Sequence, residues 1–571
     1  MEAPVRAPPA TSARASVGWL VVIMAALAAV KVAYSVNWSF PAGADGGYYT
    51  NIAQNLLAGN GLTTNVSLYH RAFTSFPHAD SIYPLWPVCY AAFATVFPLE
   101  RVAVWLPSAL YLISLATAFS WARRLSPGDL FRRVPGFGAG HVLVLVLGLH
   151  GAYFLHTSRP YTEGLAYALF FACCWRAIPL VQRRTWTAGL ELGAWLGVLL
   201  LVRSQFVIVV AALACTLVVQ LVIDRAHRGD SVRFAAAAAL GVVLPLLPYV
   251  LYLALSTDEF SAFNYVLFGE TPQGSPLSQA KPYVRPSGLG HVRVLAHGVA
   301  TAFAWKVNVS YRGSYHLFHY ALPIAAVLAG VRALRTLRDA DGRARVVRWL
   351  RDPTSGAWLL FALVALLGFA SVQLLVKNDD HWYFHRRHNL VALPLFYFAL
   401  LALLRSRVLP IVLVGVALLL GTVVIGARRL GFEVYKASVD PRLPPRQSLV
   451  DWLNAERARV GRPLVVATSA PQVMVWRTPG VSYHEVNAGN TTLDDVLVMF
   501  DQLGADYLVS PLNDDVRHRR PRARFEAELE MVPGVEMGRL RVYRRRGVSS
   551  DVGAPTPFAG TLGAPDDTDD L

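Results

Sequence analysis

Residues 45–61, with the sequence DGGYYTNIAQNLLAGNG, lie between the first apolar run and the next stretch that is apolar enough to enter a membrane. Apolar side chains recur at helical spacing from Tyr48 to Leu57, and the glycines at 59 and 61 end the pattern. The segment therefore predicts a short amphipathic helix just outside a bilayer. Asp45 is expected to precede its first turn, where the carboxylate either caps the helix or faces whatever the loop encloses.

The composition predicts the class of protein that carries this helix. Of the 571 residues, 54% are hydrophobic and only 16% are charged, and the mean hydropathy is +0.39. Such a chain is too apolar for a soluble globule, and its length allows many spans and a modest domain. The net charge of +16 comes largely from arginines in short loops, which indicates orientation among membrane lipids and excludes a nucleic-acid partner.

The first span is the run 17–36, about 20 residues, which is long enough to cross roughly 30 Å of hydrocarbon. It is typical of a signal anchor that leaves the basic segment 1–16 on the cytoplasmic side. Further apolar runs occupy residues 82–98, 101–122, 139–157, 161–181, 187–202, 205–223, 234–256, 315–333, 356–376, 388–404 and 408–427.

The run 82–98 decides the topology. If it crosses the bilayer, every arginine-rich loop breaks the positive-inside rule, and if it lies in the interface the rule is obeyed throughout. The prolines and aromatics of the segment 82–87 suit a juxtamembrane helix. We therefore predict eleven spans, with the N-terminus inside and the C-terminus outside. The arginine-rich loop 334–354 is then cytoplasmic, where it orients the chain and binds headgroups.

This topology places several polar segments together on the external face and predicts a shared cavity there. They are the first loop, 37–100, with Asp45, the turn 158–163, Arg203, the loop 257–314 and residues 377–388.

Beyond Arg429 the composition changes to that of a small soluble α/β domain, residues 440–546, and then to an acidic tail, 547–571, predicted to be disordered. The expected helices are 448–459, 492–503 and 524–531, and the expected strands are 464–468, 481–486, 506–510 and 539–543. The sequence of this domain has no Gly-rich phosphate loop or nucleophile elbow, so we interpret it as a cap or an acceptor-recognition module.

Four motifs in this order resemble the GT-C fold glycosyltransferases. They are an acid and paired aromatics after the first helix, an Ile-Ala-x-Asn-Leu-Leu-x-Gly-x-Gly helix, a Tyr-Pro-x-x-Pro run, and the turn Ser158-Arg-Pro-Tyr-Thr-Glu163. The chain looks most like the bacterial branch, family 39-like, related to dolichyl-phosphate-mannose protein mannosyltransferases and lipid A aminoarabinose transferases. The resemblance covers roughly residues 17–427, and the C-terminal domain is similar in placement only.

The resemblance implies an all-α polytopic membrane bundle of the GT-C type, with a small C-terminal α/β domain. It also implies transfer of a sugar, with inversion, from a polyprenyl phosphate to a glycolipid, polysaccharide or protein acceptor outside the bacterial cytoplasmic membrane. Asp45 matches the catalytic acid and would act as general base. Glu163 matches a second acidic position, which could hold the base, the acceptor or a divalent cation.

The same chemistry predicts further site residues. A lipid-phosphate leaving group develops charge as its bond to the sugar breaks, so the site needs cations at the membrane surface. The candidate cations are Arg159, Arg203, Lys377, His381, Arg386 and Arg387. Tyr48 and Tyr83 are candidate substrate-binding residues. No metal ligand is predicted, because His381 and its neighbours match no established metal signature.

Each assignment has a structural alternative. Asp45 could be only an N-cap, Glu163 could only complement the dipole of its helix, and the pair Arg386 and Arg387 could anchor the next span. Tyr48 could pack the loop helix, while Tyr83 and Trp86 could be interface anchors.

Three other functions fit parts of the sequence. A transporter or flippase for lipid-linked sugars should show inverted hydropathy repeats and midplane charges, whereas the charges cluster at the ends of the apolar runs. A non-catalytic scaffold would leave Asp45 and Glu163 replaceable. An O-antigen polymerase or ligase would use the basic loop 257–314, but the Asp45 motif argues against it.

Overall fold

The computed structural model describes residues 10–37, 44–67, 75–79, 83–131, 134–256, 393–438, 443–469, 474–486, 492–511, 522–537 and 540–547, together with residue 471 and parts of 328–367. Its contacts divide the chain into two compact units. The membrane unit comprises residues 1–38, 104–250 and 285–438, and the sheet unit comprises residues 39–103, 251–284 and 439–571.

The helices are numbered along the chain. They are α1 (Ala10–Asn37), α2 (Ala44–Leu57), α3 (Leu85–Ala94), α4 (Leu99–Leu125), α5 (Ala139–Gly148), α6 (Gly151–Ser158), α7 (Thr162–Arg183), α8 (Trp186–Val202), α9 (Val207–Ile223), α10 (Arg228–Ser256), α11 (Ala340–Arg351), α12 (Ser355–Val364), α13 (Leu393–Leu404), α14 (Leu409–Ser438), α15 (Leu443–Val460), α16 (Leu493–Asp501) and α17 (Arg522–Glu528).

Five of the described helices are long and apolar enough to cross a membrane, so the chain is a multi-pass membrane protein. These segments are Arg14–Asn37, Leu99–Leu125, Thr162–Arg183, Arg225–Tyr252 and Leu409–Ser438. The total of eleven spans stays a prediction, because parts of the runs 315–333, 356–376 and 388–404 lie outside the described residues.

Two predicted runs differ from the observed helices. The run 139–157 is broken between α5 and α6, where His150 Nδ1 accepts a hydrogen bond from Tyr153 N at 3.2 Å and caps α6. The last apolar helix continues past residue 427 to Ser438. Arg429 and Glu433 pair one turn apart on this extension, which stabilises helix where the sequence is no longer apolar.

Helix α3 supports the interpretation of 82–98 as a juxtamembrane segment. It contains ten residues and is therefore about 15 Å long, roughly half the thickness of a hydrocarbon core. Trp86 is fully buried and stacks on Tyr90, with ring centroids 5.6 Å apart. The expectation that Trp86 anchors at the interface is therefore wrong, because its ring packs inside the sheet unit.

The sheet unit contains a six-stranded sheet and a two-stranded one. The strands are β1 (Thr63–Thr64), β2 (Val66–Ser67), β3 (His78–Ala79), β4 (Leu464–Thr468), β5 (Val481–Glu485), β6 (Tyr507–Pro511), β7 (Leu529–Met537) and β8 (Leu540–Arg545). The larger sheet has the order β2-β5-β4-β6-β8-β7, and β1 pairs with β3 in the smaller one. Pairings from β2 to β6 are parallel, and those of β6 with β8 and β8 with β7 are antiparallel.

Most predicted elements of the C-terminal domain are present. Helix α16 begins with a capping box between Thr492 and Asp495, and its apolar face packs on the sheet around Ala467 and Leu508. The predicted helix 524–531 ends at Glu528 instead, and β7 follows. Pro533 disfavours a helix here, and a bulge in β7 accommodates it. The predicted combination of a helical membrane bundle and a small α/β domain is confirmed.

Candidate active site

Asp45 lies in the sheet unit, at the second residue of α2. The helix begins at Ala44, so the expectation that Asp45 precedes the first turn is corrected: the acid is part of that turn. Its side chain is half-buried. A carboxylate at this end of a helix interacts favourably with the helix dipole.

One face of α2 fixes this acid against the rest of the sheet unit. Tyr48, Tyr49 and Ile52 are buried. The Thr50 hydroxyl donates to the carbonyl of Gly46 at 2.7 Å and lies 3.3 Å from the hydroxyl of Tyr90 in α3. The first half of α2 is therefore anchored by side chains three to seven residues after Asp45. Tyr48 is buried, in agreement with a packing role for its ring.

The other end of α2 is held by an amide network. The side-chain oxygen of Asn65 accepts from Asn55 Nδ2 at 2.9 Å and from Asn51 Nδ2 at 3.3 Å, and its own Nδ2 donates to Ser482 Oγ at 3.2 Å. The side-chain oxygen of Asn51 accepts from the backbone of Asn65 at 2.8 Å. Three asparagines therefore join the helix to the chain that follows it and to β5.

The loop also contributes a strand to the sheet of the C-terminal domain. Strand β2 runs parallel to β5, with Val66 opposite Tyr483, and the backbone of Tyr483 donates to the carbonyl of Asn65 at 2.8 Å. From α2 itself, Gln54 Nε2 donates to the carbonyl of Trp476 at 2.7 Å. The C-terminal domain and the segment carrying Asp45 thus form one folded unit. A separate cap or acceptor-recognition module would not need to share a sheet with that segment.

Glu163 lies in the membrane unit, in the first turn of α7, and is 1% exposed. Arg203 follows the last residue of α8 and donates from Nη1 to the Glu163 carboxylate and, at 3.0 Å, to the Thr162 hydroxyl. The structure therefore brings together two of the predicted site residues, one acid and one cation. A charge-assisted bond of this kind fixes both side chains.

Arg159 lies in the turn between α6 and α7. Its guanidinium is hydrogen-bonded to the hydroxyls of Tyr34 and Tyr161, the second at 3.5 Å from Nη1. Arg159 is half-buried and precedes Glu163 by four residues. Arg159, Glu163 and Arg203 all belong to the membrane unit. The turn 158–163 therefore carries a hydrogen-bonded cation at the start of a span.

The remaining predicted site residues are placed less fully. Tyr83 is half-buried just before α3. Lys377, His381, Arg386, Arg387 and the loop 257–314 lie outside the described residues. The shared cavity stays a prediction, because Asp45 and Glu163 belong to different units. Among the described residues no group of three His, Cys, Asp or Glu could hold a metal ion, and we assign no step to one.

Two features of the structure are absent from the predictions above. The asparagine network joins positions more than 400 residues apart, and no local pattern marks it. Lys31 is also missed, although it is the only charged residue in the run 17–36. An ionisable residue inside a span is a functional candidate by default, so that signal was present in the sequence.

No protein-family model matches the sequence, and no curated protein matches it. Among solved structures, the chain is similar to ArnT from Cupriavidus metallidurans bound to undecaprenyl phosphate, with 15% identity, 92% of this chain and 98% of that chain covered, and a TM-score of 0.46. The Archaeoglobus fulgidus oligosaccharyltransferase tethered with an acceptor peptide shows 11% identity over 87% of this chain and 69% of that one, with a TM-score of 0.47. The arabinosyltransferase EmbB from Mycobacterium smegmatis shows 13% identity over 74% of this chain and 41% of that one, with a TM-score of 0.35.

Proposed function

We propose that the protein is an integral membrane glycosyltransferase that transfers a sugar from a polyprenyl-phosphate donor to a cell-envelope acceptor. The acceptor is a glycolipid, a polysaccharide or a protein, and the reaction takes place on the outer face of the bacterial cytoplasmic membrane. The observation that carries the proposal is the placement of Asp45. It is a half-buried acid in the first turn of a helix that is held at both ends by hydrogen bonds.

The proposed reaction is a single displacement at the anomeric carbon. Asp45 accepts the proton of the acceptor hydroxyl as the acceptor oxygen bonds to the sugar on the face opposite the phosphate. The bond between the anomeric carbon and the phosphate oxygen breaks, and the lipid phosphate leaves with the electron pair. The sugar is inverted once, and the proton remains on Asp45 until it passes to water.

Arginines of the membrane unit supply a second part of the proposal. The leaving phosphate gains negative charge, and a guanidinium binds phosphate oxygens in a bidentate geometry that lysine cannot match. Arg159 is the candidate for this role in the turn 158–163. Arg203 is already bonded to Glu163, so we assign that pair to holding the turn in place.

The test is sugar transfer by the purified protein in lipid, with a panel of polyprenyl-phosphate sugars and envelope acceptors. Asp45→Asn should reduce turnover by about 10²–10⁴-fold, the usual contribution of a general base. Asp494→Asn is a matched control, because Asp494 also lies in the first turn of a helix and is exposed. The product should have the anomeric configuration opposite to that of the donor.

Equal turnover by the Asp45→Asn variant and the wild type would remove Asp45 from the chemistry. A transporter would move the lipid-linked sugar across the bilayer without forming a product on any acceptor. Retention of the donor's configuration would contradict the single displacement.

A further inference from the structure

Lys31 is a charged residue inside a membrane span that the proposed reaction does not use. It lies in α1, six residues before the helix ends at Asn37, and is therefore about 9 Å from that end. Its side chain is 1% exposed. A lysine this close to a helix end could extend toward the headgroups, but this one is directed into the membrane unit instead.

The contacts of Lys31 lead to the turn that carries the predicted site residues. Its ammonium donates to the hydroxyl of Ser158, the last residue of α6. It also lies over the rings of Tyr111 and Phe154, 4.4 Å and 4.6 Å from their centroids. Within the described part of the chain, Lys31 makes no ion pair with a carboxylate.

These contacts do not explain the lysine as a stabilising residue. Removing an ammonium from water costs more than one hydroxyl and two aromatic faces return, and an apolar side chain of the same length would fill the space at no such cost. Charged residues kept in spans under these conditions are usually retained for function. The reason for Lys31 should therefore lie in what Ser158 does.

Ser158 precedes Arg159 directly, and α1 contacts both residues. One turn beyond Lys31, Tyr34 packs on Phe154, with ring centroids 5.3 Å apart, and its hydroxyl is bonded to Arg159. Residues three apart on a helix lie on the same face. Helix α1 thus contacts the turn at two points. Lys31 binds Ser158 at its start, and Tyr34 binds the guanidinium of Arg159.

We propose that Lys31 is a positioning residue, which fixes Ser158 so that the turn presents Arg159 to the phosphate of the lipid-linked donor. The inference rests on the proposed function for its substrate. Lys31 does not touch the donor. It acts through the Ser158 hydroxyl, and it requires a side chain that donates a hydrogen bond.

The experiment compares Lys31→Met, Lys31→Arg, Ser158→Ala and the Lys31→Met/Ser158→Ala double variant in the full-length protein. Amide hydrogen exchange in residues 159–163 should rise roughly tenfold in Lys31→Met, the factor for one lost hydrogen bond to a charged group. The KM for the donor should rise by about the same factor, with kcat within about twofold. Lys31→Arg should bring both the exchange rate and the KM most of the way back to the wild-type values. The double variant should show no faster exchange and no higher KM than either single variant.

Thermal stability separates positioning from simple packing. Lys31→Met should unfold at the same temperature as the wild type or at a higher one, because a buried charge has been removed. Unchanged exchange and KM would overturn the proposal, and so would a lowered unfolding temperature with exchange raised throughout the membrane unit. If the wild type transfers no sugar, the proposed function fails, while exchange in 159–163 still decides whether Lys31 fixes the turn.

Discussion

Replacing Asn65 should release the helix that carries Asp45 from the sheet of the C-terminal domain. The Asn65→Ala variant loses three side-chain hydrogen bonds, to Asn51, Asn55 and Ser482. At about 1 kcal/mol each, their loss favours local opening by about 3 kcal/mol, or roughly a hundredfold in the opening equilibrium. The backbone bond from Tyr483 to Asn65 remains, so the sheet itself should persist.

The measurement is amide hydrogen exchange of the full-length protein in lipid nanodiscs, followed in residues 45–57 and 61–67. Asn65→Ala should raise exchange in both segments by roughly the factor given above, and sugar transfer should fall with it because Asp45 is no longer held. Asn60→Ala is the control, since Asn60 is exposed and lies three residues beyond the end of α2.

Exchange within threefold of the wild type in both segments would refute the reasoning, because the amide network would then not hold α2. Faster exchange without a loss of transfer would refute only the link between that network and the position of Asp45.

Three further changes test other contacts. Arg203→Met leaves the buried carboxylate of Glu163 without its cation and should destabilise the protein by about 3–5 kcal/mol in reversible unfolding, whereas adding Glu163→Gln should recover part of this loss. Gly193→Ala would place a methyl group against a backbone carbonyl oxygen of α10 and should cost about 1–3 kcal/mol, while Gly229→Ala, with open space around it, should cost little by the same measurement. Burial lowers the pKa of His484 from 6.5 to about 4, so between these pH values only the unfolded chain binds the proton. Stability is therefore complete above about pH 6.5 and falls by about 1.4 kcal/mol per unit as the pH drops toward 4, and the slope of the unfolding midpoint against pH should flatten in His484→Phe.

Local pattern was sufficient wherever a segment's structure depends on its own residues. The period of the apolar side chains predicted α2, and the glycines that end it adopt positive φ angles, +82° at Gly59 and +74° at Gly61. Length and apolarity predicted the long spans, and alternating or continuous apolar residues predicted β4 and β5. The sequence also placed an acid at the start of the loop helix and an acid and two arginines at the ends of spans.

Contacts between distant segments could not be predicted in this way. Strand β2 has only two residues, and it is a strand because β5 lies beside it. The sequence does not show that Asn65 meets Ser482, that Arg203 pairs with Glu163, or that Lys31 reaches Ser158, because hydrogen-bond and charge partners are chosen by which helices pack together.

The sequence by itself determined the class of the protein, a multi-pass helical bundle with a small α/β domain, and the residue types available for its chemistry. The tertiary structure adds that the loop with Asp45 folds as part of the C-terminal sheet and that a lysine of the first span donates a hydrogen bond to Ser158. The physical reason is that apolar periodicity is a property of each segment alone, whereas the partner of a buried polar group exists only once the segments have packed.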